Sequence, residues 1–319
     1  MKPLVECVPN FSEGRRPEVV EEIGGSMREV AGVRVLDVQT DVDHNRSVVT
    51  LVGTPAAVQE AAFLGTAKAA ALIDMTRHQG EHPRLGATDV IPIVPLSGVT
   101  MEECVTLARE LGQRVGDDLG IPVYLYEAAA TRPDRVNLED IRRGEYELLK
   151  LEIDKKPERA PDFGPRTLGS AGATVIGARP YLVAFNVYLS TADVAVARRI
   201  ARAVRFSSGG YRFVKALGMR VAGQAQVSMN FTDFTRTPIY RVVETIRREA
   251  ACYGTTITHT ELVGLAPQQA LLDAAQWYLQ LDRFSSDQIL ENKLTALDER
   301  TPLGFIDAVA AKSPTPGGG

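Results

Sequence analysis

Cysteine is scarce in this sequence. Cys7, Cys104 and Cys252 are three in number and widely spaced, which argues against a disulfide framework. No C-x-x-C pair occurs, so a thiolate zinc site is disfavoured. No run approaches the ~18 apolar residues that a membrane span needs. The N-terminal MKPLVECVPNFSEGRRPE lacks the apolar stretch and the small-residue cleavage site of a secretory signal. A P-loop, a G-x-G-x-x-G after a strand and a G-x-S-x-G elbow are also missing, so nucleotide dependence is not indicated. An excess of basic charge is missing too. The formal net charge of −4 gives no field directed at nucleic acid or an anionic membrane. These absences leave a reduced, cytoplasmic enzyme as the default expectation.

With 319 residues, 45% hydrophobic and 24% charged, the chain is long enough for two domains with ordinary cores. Short β-branched runs at Leu4–Val8, Val33–Val38 and Ser47–Val52 predict strands, the last two joined as a hairpin. Helices are predicted from Pro17 to Val30 and from Thr54-Pro55 to near Arg77. In the second of these, Thr54 is expected to supply a capping oxygen and Pro55 to fit the first turn. The second half repeats the grammar: a strand at 181–189, a helix at 191–205, a hairpin at 211–219 and 224–231, a helix opening at Thr237-Pro238, and a strand at 255–263. The expected fold is therefore α/β (α+β), with duplicated ferredoxin-like β-α-β-β-α-β subdomains whose helices pack on one face of a sheet. Extra material in the first half predicts a strand at 89–94, a helix at 100–115 and a strand at 121–126. A charged helical arm follows, docked through Leu138, Ile141, Tyr146 and Leu149. The Gly- and Pro-rich stretch 160–180 is expected to be the crossing between the halves. A last helix is expected at 285–298.

Only four histidines are available: His44, His78, His82 and His259. His78-Gln79-Gly80-Glu81-His82 spells H-x-x-E-H, a zinc-peptidase signature. Ligands four apart converge only on a continuous helix, and Gly80 with Pro83 breaks one here. What remains is a loop histidine, either structural or a proton carrier near neutral pH. Glu81 or Asp89 is the candidate to orient His82. Arg46, Arg77 and Arg84 are candidate forks for substrate carboxylates. Asn45 flanks Arg46 in a predicted hairpin turn. Asn10, Asn186 and Asn230 sit at comparable strand positions and are candidates to line one pocket. The stretch from Gly210 to Val214 partly echoes an RNA-binding string, but Gly209 and Ala216 depart from it and the net charge opposes it.

Several long strings carry a resemblance: LVECVPNFSEG, LIDMTRHQGEHPRLGATDVIPIVP, IPVYLYEAA, APDFGP, GATVIGAR, YLVAFNVYL, AQVSMNFTDF and ELVGLAPQQALLDAA. They resemble the glutamate formimidoyltransferase family from residue 4 to about 276. That resemblance implies transfer of a formimino group from N-formimidoyl-L-glutamate to tetrahydrofolate as co-substrate, without metal, in histidine degradation. It implies that His82, in G-E-H-P-R, is the catalytic general acid/base. It further implies a folate loop after F-G-P: Gly164, Pro165, Arg166, Thr167, Leu168, Gly169, Ser170, Ala171 and Gly172. The expected division is an N-terminal subdomain at 1–178, a C-terminal subdomain at 179–300, and a tail at 301–319 resembling the start of a cyclodeaminase domain. The expected partners are small molecules, a second copy in a homodimer, and a cyclodeaminase domain or chain, with no nucleic acid and no membrane. Formyl chemistry on 5-formyltetrahydrofolate, and a non-catalytic folate-binding protein, stay open as alternatives.

Overall fold

The computed structural model describes residues 3–80 and 82–294. Glu81 and the tail at 301–319 lie outside the described residues, as does the end of the helix expected at 285–298. The chain divides into two compact units, Met1–Phe185 with Leu262–Leu265, and Asn186–Glu261 with Ala266–Gly319.

In the first unit the elements run β1 (Leu4–Cys7), β2 (Asn10–Phe11), α1 (Pro17–Arg28), β3 (Val33–Asp41), β4 (Arg46–Gly53), α2 (Pro55–Leu72), β5 (Thr88–Ser97), α3 (Met101–Leu119), β6 (Val123–Glu127), α4 (Leu138–Ile141), α5 (Glu145–Glu152) and β7 (Thr174–Ala178). β1 and β2 share one place in the sheet, antiparallel to β4 on one side and β5 on the other. Pro9 interrupts them because it has no N–H to donate. Its carbonyl still accepts from Val49 N at 3.0 Å. β3 lies outside β4, and β7 and β6 extend the sheet beyond β5. The β-α-β-β-α-β order is thus present, with a parallel extension.

That extension overturns one expectation. Residues 174–178, read as part of a crossing, form β7, which pairs in parallel with both β5 and β6. All five β7 residues are buried. Val123, Leu125, Ile176 and Ala178 join the core under α1, α2 and α3. Tyr124, Tyr126 and Val175 face the other way and are covered by Ile141 and Leu149 of the arm. A strand covered on both faces has no polar alternation to announce it. The arm does dock through Ile141, Tyr146 and Leu149, each nearly fully buried.

Two details of α2 also differ from expectation. It ends at Leu72 rather than near Arg77, because Ile73 turns extended at φ −112° and ψ 120°. Asp74 Oδ1 then accepts from Thr76 N at 2.9 Å and from its hydroxyl at 2.6 Å, fixing a turn. Thr54 makes no side-chain cap, although Pro55 does occupy the first turn.

The elements that follow are β8 (Val183–Leu189), α6 (Val194–Val204), β9 (Val214–Val221), β10 (Gln224–Phe231), α7 (Ile239–Cys252), β11 (Ile257–Val263) and α8 (Gln268–Leu279), which belong to the second unit apart from the first residues of β8 and the last of β11. The sheet order is β11-β8-β10-β9, which repeats the arrangement of β5, β1/β2, β4 and β3. Ala222 and Gly223, at φ 48° and 82°, close the β9–β10 hairpin as a two-residue turn. Ala197, Ala201 and Val204 of α6 and Val242, Ile246 and Ala250 of α7 are buried, at the predicted helical spacing. α8 was not anticipated, and its only fully buried residue is Ala270. Helix resumes at Leu290.

Two glycines let the chain approach itself closely near the start of β5. A Cβ on Gly86 would lie 2.3 Å from Ala173 O, and one on Gly172 would lie 2.3 Å from Leu85 O. Gly172 also has φ +70°. Gly172→Ala is expected to lower unfolding free energy by about 2 kcal/mol or more, from left-handed strain plus the clash. Urea denaturation followed by circular dichroism measures it; an unchanged midpoint would contradict this close packing.

Candidate active site

Three loops of the first unit meet at Asn45, next to Arg46 and His82. They are the β2–α1 loop with Ser12, Glu13 and Gly14, the β3–β4 turn with His44 and Asn45, and the segment from His78 to Arg84. Asn45 ties all three together. Its backbone is left-handed at φ +48°. Its Oδ1 accepts from Gly14 N at 3.0 Å, its Nδ2 donates to Gln79 O at 2.9 Å, and its carbonyl faces His78 Nε2 at 3.2 Å. Neither Gly14 nor Gly80 has room for a Cβ, the former 2.2 Å from Asp41 O and the latter 2.4 Å from His44 O. Asn45 is therefore an architectural residue.

His82 is half-buried. Its Nδ1 stands 2.7 Å from Pro83 O. The Pro83 carbonyl can only accept, so the Nδ1–H tautomer makes this bond, and in that tautomer Arg46 Nη1, 3.2 Å away, contributes charge rather than a hydrogen bond to Nδ1. Among the described residues nothing bonds Nε2, which is left as the bare, basic nitrogen. The His44 ring packs edge-on at 5.9 Å between centroids, and His44 Nδ1 is itself held 2.7 Å from Asp41 Oδ2.

Behind His82 lies a buried charge cluster. Asp89, fully buried at the start of β5, accepts from Arg46 Nη1 at 2.7 Å, from Arg142 Nη2, and from Leu85 N at 2.9 Å. Burial pushes its carboxyl upward, but the two guanidiniums and these hydrogen bonds outweigh burial and hold it below the usual carboxylate range. Arg46 Nε and Nη2 donate to Asn10 Oδ1 at 3.2 and 2.8 Å. Arg46 Nη1 also lies 3.2 Å from His82 Nδ1. Burial, then the Arg46 and Arg142 charges, push the imidazole down to about 3 against the opposing pull of Asp89. His82 is therefore neutral at neutral pH, not poised near 6.5 as its bare residue type implies.

The other candidates separate clearly. Asp89 orients the arginines rather than His82 itself. Arg84 is enclosed by Glu145 and Glu147, its Nη1 2.7 and 2.8 Å from their carboxylates and its Nη2 2.7 Å from Glu147 Oε1, while its Nε donates to His78 Nδ1 at 3.2 Å. It clamps the arm to the His78 loop, and both His78 nitrogens are engaged. Arg77 is 88% exposed at its side chain, beside Asp74. Asn186 and Asn230 lie in the second unit. Asn186 Nδ2 donates to Glu261 Oε2 at 3.0 Å, where the Tyr188 hydroxyl also donates at 3.1 Å. Tyr188 stacks on His259 at 4.2 Å, and Asn230 is exposed opposite Lys215. Arg142 carries no recognisable motif; it is one basic residue in a charged run, and only docking of the arm brings it to Asp89.

The 164–172 loop is fastened at its far end close to His82. Met75 N donates to Ser170 O at 2.8 Å, Ala87 N to Ala171 O at 2.8 Å, and Ala173 N to Leu85 O at 3.0 Å. Pro165, Arg166 and Thr167 are exposed, and Leu168 packs inward. Among the described residues, no group of three or more His, Cys, Asp or Glu is placed to hold a metal ion. No described helix is long and apolar enough to cross a membrane.

A family profile described as the N-terminal subdomain of the formiminotransferase domain matches residues 4–179, and one for the formiminotransferase domain matches 184–298. The chain belongs to the formiminotransferase family. It is 51% identical over 295 residues to the glutamate formimidoyltransferase of Thermoplasma acidophilum, covering 91% of this chain and 97% of that one. It is 46% identical to the glutamate formimidoyltransferase of Streptococcus pyogenes serotype M1, covering 92% and 99%. The formimidoyltransferase-cyclodeaminase of Gallus gallus is 41% identical, with the whole of this chain aligned to 66% of the longer protein.

The depressed proton affinity of His82 in this formiminotransferase has a measurable sign. Between pH 6.5 and about 3 the unfolded chain protonates this residue and the folded one does not. Its contribution to stability is therefore present above 6.5 and is lost as pH falls toward 3. His82→Asn is expected to flatten the acid limb of a stability-versus-pH curve from urea titrations; an unchanged slope would mean that the imidazole titrates normally.

Proposed function

We infer that this formiminotransferase moves the formimino group from N-formimidoyl-L-glutamate to tetrahydrofolate, releasing L-glutamate and 5-formimidoyltetrahydrofolate. Family membership across nearly the whole chain, and close relatives named glutamate formimidoyltransferase, support the reaction class. The observation that carries the site is His82, with Nδ1–H held by Pro83 O and Nε2 bare.

The chemistry needs one proton carrier. N5 of tetrahydrofolate attacks the formimidoyl carbon, and a tetrahedral intermediate forms as the C–N5 bond is made. His82 Nε2 takes the N5 proton and delivers it to the glutamate nitrogen as that C–N bond breaks. No net proton is gained or lost by the protein. Holding two substrates against one base supplies much of the remaining acceleration. The exposed 164–167 segment and the fastened 168–172 segment are proposed to hold the folate, close to the base. Because Arg46 and Arg142 disfavour an imidazolium, proton uptake by His82 is favoured once substrate brings negative charge beside them. A dimer and a cyclodeaminase partner remain part of the proposal, not of the structure.

Mixing the purified chain with tetrahydrofolate and N-formimidoyl-L-glutamate is expected to give the formimidoyl-folate absorbance change. No product with wild-type protein would end this assignment, and faster turnover of 5-formyltetrahydrofolate with glutamate would favour formyl chemistry instead. His82→Ala is expected to reduce kcat by roughly two to four orders of magnitude. His78→Ala, which removes a partner of Arg84, is expected to reduce stability more than kcat; the reverse pattern would move the base to His78.

A further inference from the structure

We propose that Arg46 and Arg142, held together by the buried Asp89 carboxylate, form a docking site for one carboxylate of the donor substrate beside His82. The proposal builds on the formimino-transfer reaction and adds the group that recognises its anionic donor.

Charge counting supplies the first support. Among the described residues, the two guanidiniums share the Asp89 carboxylate, so the pair carries more positive charge than that carboxylate offsets. Arg46 and Arg142 side chains are only 11% and 12% exposed. A surplus charge so poorly hydrated is costly unless an anion pairs with it. An unmade hydrogen bond supplies the second. Arg142 Nε is buried without a partner, and a carboxylate oxygen would satisfy it once the guanidinium turns to meet the anion. Asn10 Oδ1 takes the Arg46 Nε and Nη2 hydrogens and Asp89 takes Nη1, so Arg46 is fixed in place and supplies charge, while the donors left for an anion belong chiefly to Arg142. By contrast, Arg84 is already occupied by Glu145 and Glu147.

The same anion acts on His82. Among the described residues, the charged and titratable groups facing the ring are Arg46 from β4, Arg142 from the end of α4, Asp89 from β5 and His44 from the β3–β4 turn. The first two oppose protonation. A substrate carboxylate on them offsets that field and lets Nε2 accept the proton from N5. Binding of the donor thus switches on the base, and the free protein keeps an inert imidazole.

The test compares wild type with Arg142→Gln and Arg142→Lys in the full chain. Donors are N-formimidoyl-L-glutamate and its two carboxamide analogues, N-formimidoyl-L-glutamine and N-formimidoyl-L-isoglutamine. Wild type is expected to lose about 100-fold in kcat/KM on one of the two analogues. Arg142→Gln is expected to lose a similar factor on the parent donor, to lose nothing further on that analogue, and to keep its KM for tetrahydrofolate. Arg142→Lys should recover part of the loss. In the free protein, the His82 resonance of Arg142→Gln should titrate at a higher pH than in wild type, because one of the charges that lower it is gone.

Additive losses from variant and analogue would overturn the proposal. So would a raised KM for tetrahydrofolate alone, which would assign the arginines to the folate's own carboxylates. If Arg142→Gln does not fold, equal wild-type turnover of all three donors overturns it without a variant. If wild type makes no product at all, the reaction is wrong rather than the arginine site, and calorimetric binding decides the latter: a preference for L-glutamate over one of L-glutamine and L-isoglutamine, lost in Arg142→Gln and partly kept in Arg142→Lys, supports the site, and no preference overturns it.

Discussion

Asp89 is the group on which the rest of the site depends. It is fully buried, and its two oxygens are shared among a strand arginine, an arm arginine and a backbone amide. Each partner comes from a different part of the first unit. Arg46 opens β4, Arg142 closes α4, and Leu85 lies in the segment joining His82 to β5. One carboxylate therefore fixes the sheet, the arm and the histidine loop relative to one another. Such a buried ionic centre is a poor way to gain stability but an effective way to set geometry, because removing one partner strands the others.

Backbone approach does the complementary work. Gly14, Gly80, Gly86 and Gly172 let loops pass at distances that a Cβ would forbid, and Asn45 bonds across the gaps so created. The result is a histidine whose ring is held by a carbonyl at Nδ1 and open at Nε2. This local arrangement, with the nearby guanidiniums, turns an ordinary loop histidine into a neutral base in a positive environment. Arg84 shows the opposite use of the same residue type: its charge is spent on two glutamates of the chain itself, and it is a clamp.

Much of the fold was legible because its elements carry local signals. The stripe Val242, Ile246, Ala250 specified a helix face, and the two-residue turn at Ala222-Gly223 joined β9 to β10 near where the hairpin was expected. β7 was missed because a parallel strand buried on both faces shows no alternation, and its glycines suggested a linker. α2 ended early because Ile73 and the Asp74 turn overrode an otherwise continuous helical pattern. α8 escaped notice since most of its surface is not buried.

For the site, the sequence by itself determined the inventory: four histidines, a broken H-x-x-E-H in which Gly80 and Pro83 prevent helical metal ligation, and strings that resemble one family along most of the chain. It placed Asn10, Arg46, His82 and Asp89 on the list because each has a local chemical meaning. Only the tertiary structure decided which arginines matter. Arg46 and Arg142 are 96 positions apart, and what joins them is the docking of an arm through Ile141, Tyr146 and Leu149 onto a strand the sequence had concealed. Electrostatics depends on distance and burial, not on order along the chain. That is why the proton affinity of His82 was beyond the reach of sequence, while its identity was not.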